Sequence, residues 1–290
     1  MEIQNEIFAE GGSGMSGQEG HDSMDETTGS VLVIDTSFGS TVGVLGHEPR
    51  VETDSRSHVE HLQVNIAAVM ADAGLAPADL DTVVVGLGPA PFTGLRAGIV
   101  TAKALAYASG AKLLGQDILL PQARFAYKQA LAAYGETTSE QDRMGEGVRI
   151  LTLAVNDARR HQLYFQLFDD FGEEFDSVRS LAPMDIDYPD AIAERVSGIV
   201  DDRKAAGQEV QVVISGHGAR RYEDNWRVRL PEALVSGESF LDSGAPGLAL
   251  MVDCARSRDS ADPGRDLVEP LYLRRPDVSV PNPLKHVVKS

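Results

Sequence analysis

Val31-Leu32-Val33-Ile34-Asp35-Thr36-Ser37 is a run of four β-favouring apolar residues that stops on a carboxylate and two hydroxyls. An unbroken apolar run of this length fits a strand buried on both faces, because a half-exposed strand would alternate. Gly39-Ser40 supplies a turn. Thr41 to Leu45 then reads as a second strand and Val51 to Thr53 as a third, an opening that is antiparallel within itself. The pattern recurs in weaker form further on. Ile150 to Val155 is an apolar strand ending in Asn156-Asp157-Ala158, and Leu163 to Phe168 is a second strand after a turn. Two copies of strand, Asp-ended turn and strand predict an internally duplicated α/β protein with mixed sheets.

Helices fill the space between. Ser57 and Glu60 make a capping-box pattern ahead of Val59, Leu62, Ile66, Val69, Met70 and Ala73, which have helical spacing. This predicts a helix over 58–73 that stops at Gly74. Thr82 to Leu87 is a short β-rich run. A second helix is predicted from about Gly94 to Ser109, with Thr93 as its cap and Gly110 as its stop. Leu113 to Gly115 reads as a strand, 117–133 and 185–205 as helical, Val212 to Ile214 as a buried strand and Ser215-Gly216-His217-Gly218 as a turn.

Residues 1–30 carry seven acidic side chains, six glycines, four serines and no Lys or Arg. They cannot bury enough apolar surface to offset their ordering entropy and read as a disordered acidic tail. The expected organisation is that tail, a first lobe over 31–134, a linker over 135–147, a smaller second lobe over 148–275 and a flexible end over 276–290.

The whole chain has 290 residues, 44 acidic and 26 basic, for a formal charge of −18. A surface this negative repels phosphate backbones and argues against a free-standing nucleic-acid binder. The single Cys254 excludes an internal disulfide framework and any cysteine-based metal cluster. No apolar run reaches the roughly 18 residues that a membrane helix needs, and no signal peptide is visible, so the expected compartment is the cytoplasm.

The candidates for chemistry are few. Gly86-Leu87-Gly88-Pro89-Ala90-Pro91 fails the dinucleotide template at Pro91 and has no Gly-Lys-Ser/Thr, and its prolines remove N–H donors that a phosphate cradle needs. His58 and His61 share one side of a helical turn, but no third metal ligand is assigned. No Gly-x-Ser-x-Gly elbow occurs, and nothing fixes a triad around His217. Asp35 with Thr36, and Asp157, end their strands in equivalent places. Such carboxylates either meet Mg²⁺ and phosphate or cap their own turns, and both readings stay open. The doublets Arg159-Arg160, Arg220-Arg221 and Arg274-Arg275 read as solvated surface.

The most informative feature lies in the two helices. Val64, Ala67, Ala68 and Ala71 widen the first helix beyond a single stripe. The second carries Gly94, Ala97, Gly98, Thr101, Ala102, Ala104, Leu105, Ala106 and Ala108. A surface helix normally shows one apolar stripe, and small residues allow a second helix axis to come close. One face is therefore expected to pack on the sheet and another on a partner, through His58, His61, Val64, Ala68, Ala71, Gly94, Ala97, Gly98, Thr101, Ala102 and Leu105.

Val31–Ser37, Arg56-Ser57-His58-Val59-Glu60-His61, Gly88-Pro89-Ala90-Pro91-Phe92-Thr93-Gly94-Leu95-Arg96-Ala97-Gly98, Asp157–Tyr164 and Glu269-Pro270-Leu271-Tyr272-Leu273-Arg274 together resemble the TsaB (YeaZ) family, in the right order across roughly residues 31–275. The resemblance implies an actin-like (ASKHA, ribonuclease H-like) fold. It also implies a non-catalytic subunit in the formation of threonylcarbamoyladenosine next to the tRNA anticodon, paired with the catalytic TsaD and joined by the ATPase TsaE. Pairing would run through the helices at 58–73 and 94–109, the chain alone would form a homodimer, tRNA would be met only through the complex, and ATP or ADP would sit at the complex interface. The family's usual Gly-Ser is replaced here by Ala90-Pro91. The paired-histidine metal site of TsaD is not matched, because position 62 is Leu. The alternative is an actin-like ATPase or phosphotransferase using Asp35 and Asp157.

Overall fold

The computed structural model describes residues 29–53, 58–137, 148–169, 179–261 and 268–273. Most of the expected acidic tail, Ser57 of the capping box, residues 138–147 of the expected linker and residues 274–290 lie outside them.

The chain builds two five-stranded sheets. In the first, β1 (Val31–Asp35) pairs antiparallel with β2 (Ser40–Val44), and β2 with β3 (Arg50–Glu52). On the other side β1 runs parallel to β4 (Thr82–Gly86), and β4 to β5 (Lys112–Gln116). The order is β3-β2-β1-β4-β5. In the second sheet β6 (Arg149–Asp157) pairs antiparallel with β7 (Leu163–Phe168), and β7 with β8 (Asp185–Asp187). β6 runs parallel to β9 (Val210–Ser215), and β9 to β10 (Leu234–Ser236). The order β10-β9-β6-β7-β8 is the first sheet repeated. The duplication read from the two Asp-ended strands is the architecture of the molecule.

The central strands are buried along their whole length, as their unbroken apolar runs demand: β1 from Val31 to Asp35, and Ile150 to Asn156 of β6. Helices α1 (His58–Asp72) and α2 (Phe92–Ser109) cover the outer side of the first sheet. There Leu62, Ile66, Val69, Leu95, Ile99 and Ala102 meet Leu32, Ile34 and Val83 in one hydrophobic cluster. In the second lobe α4 (Pro189–Ala205) and the short α5 (Glu223–Arg229) play the same part around Ile192, Val196 and the fully buried Trp226.

Two helices lie between the sheets. α3 (Leu119–Thr137) and α6 (Ala245–Ala261) share a cluster that takes Val31, Val33 and Val84 from the first sheet and Ile150, Ala154 and Val213 from the second. The expected helix over 185–205 is in fact β8 followed by α4. Asp187 accepts a hydrogen bond from the Tyr188 amide, and Pro189 opens the helix where a missing N–H costs nothing.

Candidate functional site

The C-terminal ends of β1 and β6 point to one cleft of about 600 Å³ between the lobes. Its walls include Thr36, Ser37 and Phe38 after β1, Val59 and Glu60 on α1, Pro91 to Gly94 at the start of α2, Asp157 at the end of β6 and Arg159 just beyond it. Thr36 and Asp157 therefore share one cleft, while Asp35, the counterpart of Asp157 in the first copy, is not among its lining residues.

Asp35 does not line the cleft. It is 1% exposed, and its two carboxylate oxygens accept from the Ser37 amide at 2.8 Å and the Ser37 hydroxyl at 2.9 Å. A side-chain carbon on Gly86 would fall 1.8 Å from its Oδ2. Burial raises its pKa above the ordinary 3.8, against the opposing pull of the two Ser37 hydrogen bonds and the charge of His217. Asp157 is more open. Its Oδ1 accepts from the Arg159 amide at 2.7 Å and its Oδ2 from Arg221 at 3.3 Å. Both carboxylates thus cap the turns that follow their strands. Asp35 is sealed and engaged, whereas Asp157 lines the cleft with one oxygen on Arg221. Thr36 is buried, and its hydroxyl oxygen has no hydrogen-bond partner among the described residues.

Two contacts frame the cleft. The Phe38 ring stacks on the His217 ring across the lobes, centroids 3.8 Å apart, and His217 Nε2 lies 3.1 Å from Asp242. At the other lip Arg96 lies over the Phe92 ring. His61 lies 3.2 Å from Glu52 rather than in a cluster of ligands. Among the described residues, no group of three or more His, Cys, Asp and Glu side chains is placed to hold a metal.

The two helices divide their residues between an inner and an outer side. On α2, Gly94, Gly98 and Ala102 are buried inside the lobe, together with Leu95, Ile99 and Ala106. Gly98 abuts Thr36, and an added Cβ would stand 2.3 Å from the Thr36 hydroxyl oxygen. The expectation that these three small residues face a partner is therefore corrected: all three are buried, and the smallness of Gly98 lets α2 close on the turn after β1. Thr93 also is not the cap; the helix starts at Phe92, behind Pro91. The outer side carries Val64, 67% exposed, on α1, and Val100, 63% exposed, and Tyr107, 92% exposed, on α2. His61 and Ala71 are exposed beside them, while Ala68, Ala97, Thr101 and Leu105 are half-buried. His58 is in α1, and its side chain lies outside what is described. Val100 and Tyr107 are outward residues that the sequence reading missed; their helical spacing from Arg96 and Lys103, both exposed, was the available signal.

Comparison with known proteins bears on this geometry. Over residues 46–119 the chain matches the family model of TsaD, tRNA N6-adenosine threonylcarbamoyltransferase. Over 260 residues it is 36% identical to the uncharacterized protein Rv3421c of Mycobacterium tuberculosis, covering 86% of this chain and 93% of that one. It is 37% identical to the uncharacterized protein ML0378 of Mycobacterium leprae over 166 residues, 54% of this chain and 40% of that protein's length. The structure of YeaZ from Pseudomonas aeruginosa superposes on 85% of this chain and 100% of its own, with a TM-score of 0.54 at 20% identity, and so shares the fold. The chain belongs to one family with Rv3421c. Its two mixed sheets flanked by helices are an actin-like α/β fold, shared with YeaZ. No helix among the described residues is long and apolar enough to cross a membrane.

Proposed function

We propose that this chain is a non-catalytic subunit in the threonylcarbamoylation of tRNA adenosine, pairing with the transferase TsaD through the outer sides of α1 and α2. The observation that carries this reading is the exposed apolar strip of Val64, Val100 and Tyr107. Large side chains gathered on a helix pair and turned to solvent mark a protein-contact surface. The segment similar to TsaD, 46–119, contains both helices in full. Two proteins sharing one helix pair can meet through it as related copies meet across a twofold axis, each surface facing its likeness.

The same strip would close a homodimer when the chain is alone, with TsaE joining the pair and tRNA met only through the complex. The acidic charge fits a subunit whose basic partners hold the RNA. The cleft argues against the ATPase alternative, because the carboxylate that would face Mg²⁺ is tied to Ser37. Calorimetric titration of TsaD into the purified chain tests the pairing. Binding is expected, and it should be lost in the Val64→Glu/Val100→Glu double variant. Undiminished binding by that variant would sink the proposed surface. Titration with Mg-ATP alone is expected to give no heat.

A further inference from the structure

The C-terminal motif Glu269-Pro270-Leu271-Tyr272-Leu273 follows the second lobe in sequence yet lies on the first. Val268 is buried in the cluster under α1 and α2. The Leu271 amide donates to the Leu87 carbonyl at 2.8 Å, at the turn that leads from β4 to α2. The Tyr272 hydroxyl accepts from Arg96 Nε at 2.9 Å, and its ring stacks on Phe92 with centroids 5.0 Å apart. Arg96 in turn lies 4.2 Å from the Phe92 ring centroid. Phe92 and Arg96 are one turn apart at the start of α2, so a single tyrosine holds both.

This start needs holding. No side chain caps the helix: Pro91 occupies that place and offers no polar group, and no acidic residue stands in the first turn. Other helices in the chain carry local aids that α2 lacks. Asp117 accepts from the Leu119 and Leu120 amides at the head of α3, and α4 has Asp190 in its first turn. We propose that Glu269–Leu273 is a strap that fixes the first turn of α2, with Tyr272 as its positioning residue. By setting that turn it also sets the direction in which α2 presents Val100 and Tyr107. This last step rests on the pairing surface proposed above; the strap itself does not.

Amide hydrogen exchange on the full chain, without any partner, tests the strap. In Tyr272→Ala the Leu271 amide and the amides of Leu95 to Gly98 should exchange about tenfold faster or more, while those of Leu32 to Ile34 in β1 keep their rates. Tyr272→Phe keeps the ring stack and loses the hydrogen bond, so its rise should be smaller, about threefold. Tyr188→Ala, an exposed tyrosine of the second lobe, should change none of these rates. Wild-type exchange at Leu95 to Gly98 in Tyr272→Ala overturns the strap, as does an equal acceleration in β1. TsaD affinity is then measured on the same variants. A several-fold loss in Tyr272→Ala with an intermediate Tyr272→Phe is expected. An unchanged affinity beside accelerated exchange overturns the link to presentation. A wild-type chain that does not bind TsaD overturns the proposed function and leaves the exchange result standing.

Discussion

The two lobes repeat one strand order and differ in what they hang on it. Between its fourth and fifth strands the first lobe has α2, 18 residues long. At the same place the second lobe has a glycine-flanked turn, a short 3-10 segment and α5, of seven residues. The long helix has room for two sides, one closed on the sheet and one turned outward. The short one is spent on anchoring Trp226, whose indole N–H donates to the Ala219 carbonyl at 2.8 Å. The turn carboxylates differ in the same sense: Asp35 is sealed, and Asp157 is held near the surface by Arg221. Duplication supplied one frame twice. The first copy carries a long helix with an exposed side, and the second a short one anchored by Trp226 that leaves Val228 exposed.

Five substitutions break or sharpen this contrast. The largest effect is expected in the reduced lobe. Trp226→Ala should cost about 3–5 kcal/mol in denaturant unfolding, because it empties the centre of the second cluster and removes the Ala219 hydrogen bond. A loss under about 1 kcal/mol would mean that Trp226 is not the plug. Gly98→Ala comes next. Alanine gains about 1 kcal/mol in helix propensity, but its Cβ would overlap Thr36, so a net loss of about 1–2 kcal/mol is expected. Stabilisation instead would show that α2 has slack against β1.

Val100→Glu should change stability by less than about 0.5 kcal/mol, since its site is solvated. The same change should weaken association tenfold or more, about 1.4 kcal/mol, by analytical ultracentrifugation. The smallest effect concerns the carboxylates. Burial raises the folded pKa of Asp35, so the unfolded chain gives up that proton first as pH rises. The stability that Asp35 lends relative to Asn is full below pH 3.8 and is lost as pH climbs through the folded value. Melting curves of wild type and Asp35→Asn should therefore diverge in favour of Asn on going from pH 3 to pH 7, and a pH-independent difference would refute this. Asp157→Asn removes only an exposed ion pair and should cost under about 1 kcal/mol.

Much of the frame could be read from the chain, because strands buried on both faces announce themselves as unbroken apolar runs. Val31–Ile34 and Ile150–Val155 did so, although of the two carboxylates that end these strands only Asp157 lines the cleft. α6 escaped notice for a related reason. Lodged between two sheets, it buries Leu248, Leu250, Met251, Val252 and Cys254 around most of its girth and shows no helical stripe. On α2 the small residues foretold close packing but not its direction. Only the contact of Gly98 with Thr36, more than sixty positions away, decides which side is inside. The strap was visible as the motif Glu269–Leu273, yet its partner Arg96 lies 176 positions earlier, beyond the reach of any local pattern.

The seam formed by α3 and α6 has a consequence for anyone who would take the molecule apart. Val31 and Val33 from one half, and Ile150 and Ala154 from the other, rest on the same pair of helices. A truncation that kept only the amino-terminal half would strip α6 from Val33 and leave α3 greasy along a full flank. Neither fragment is a smaller protein in its own right; unfolding should proceed as one cooperative event, and halves expressed separately should dissolve only when mixed.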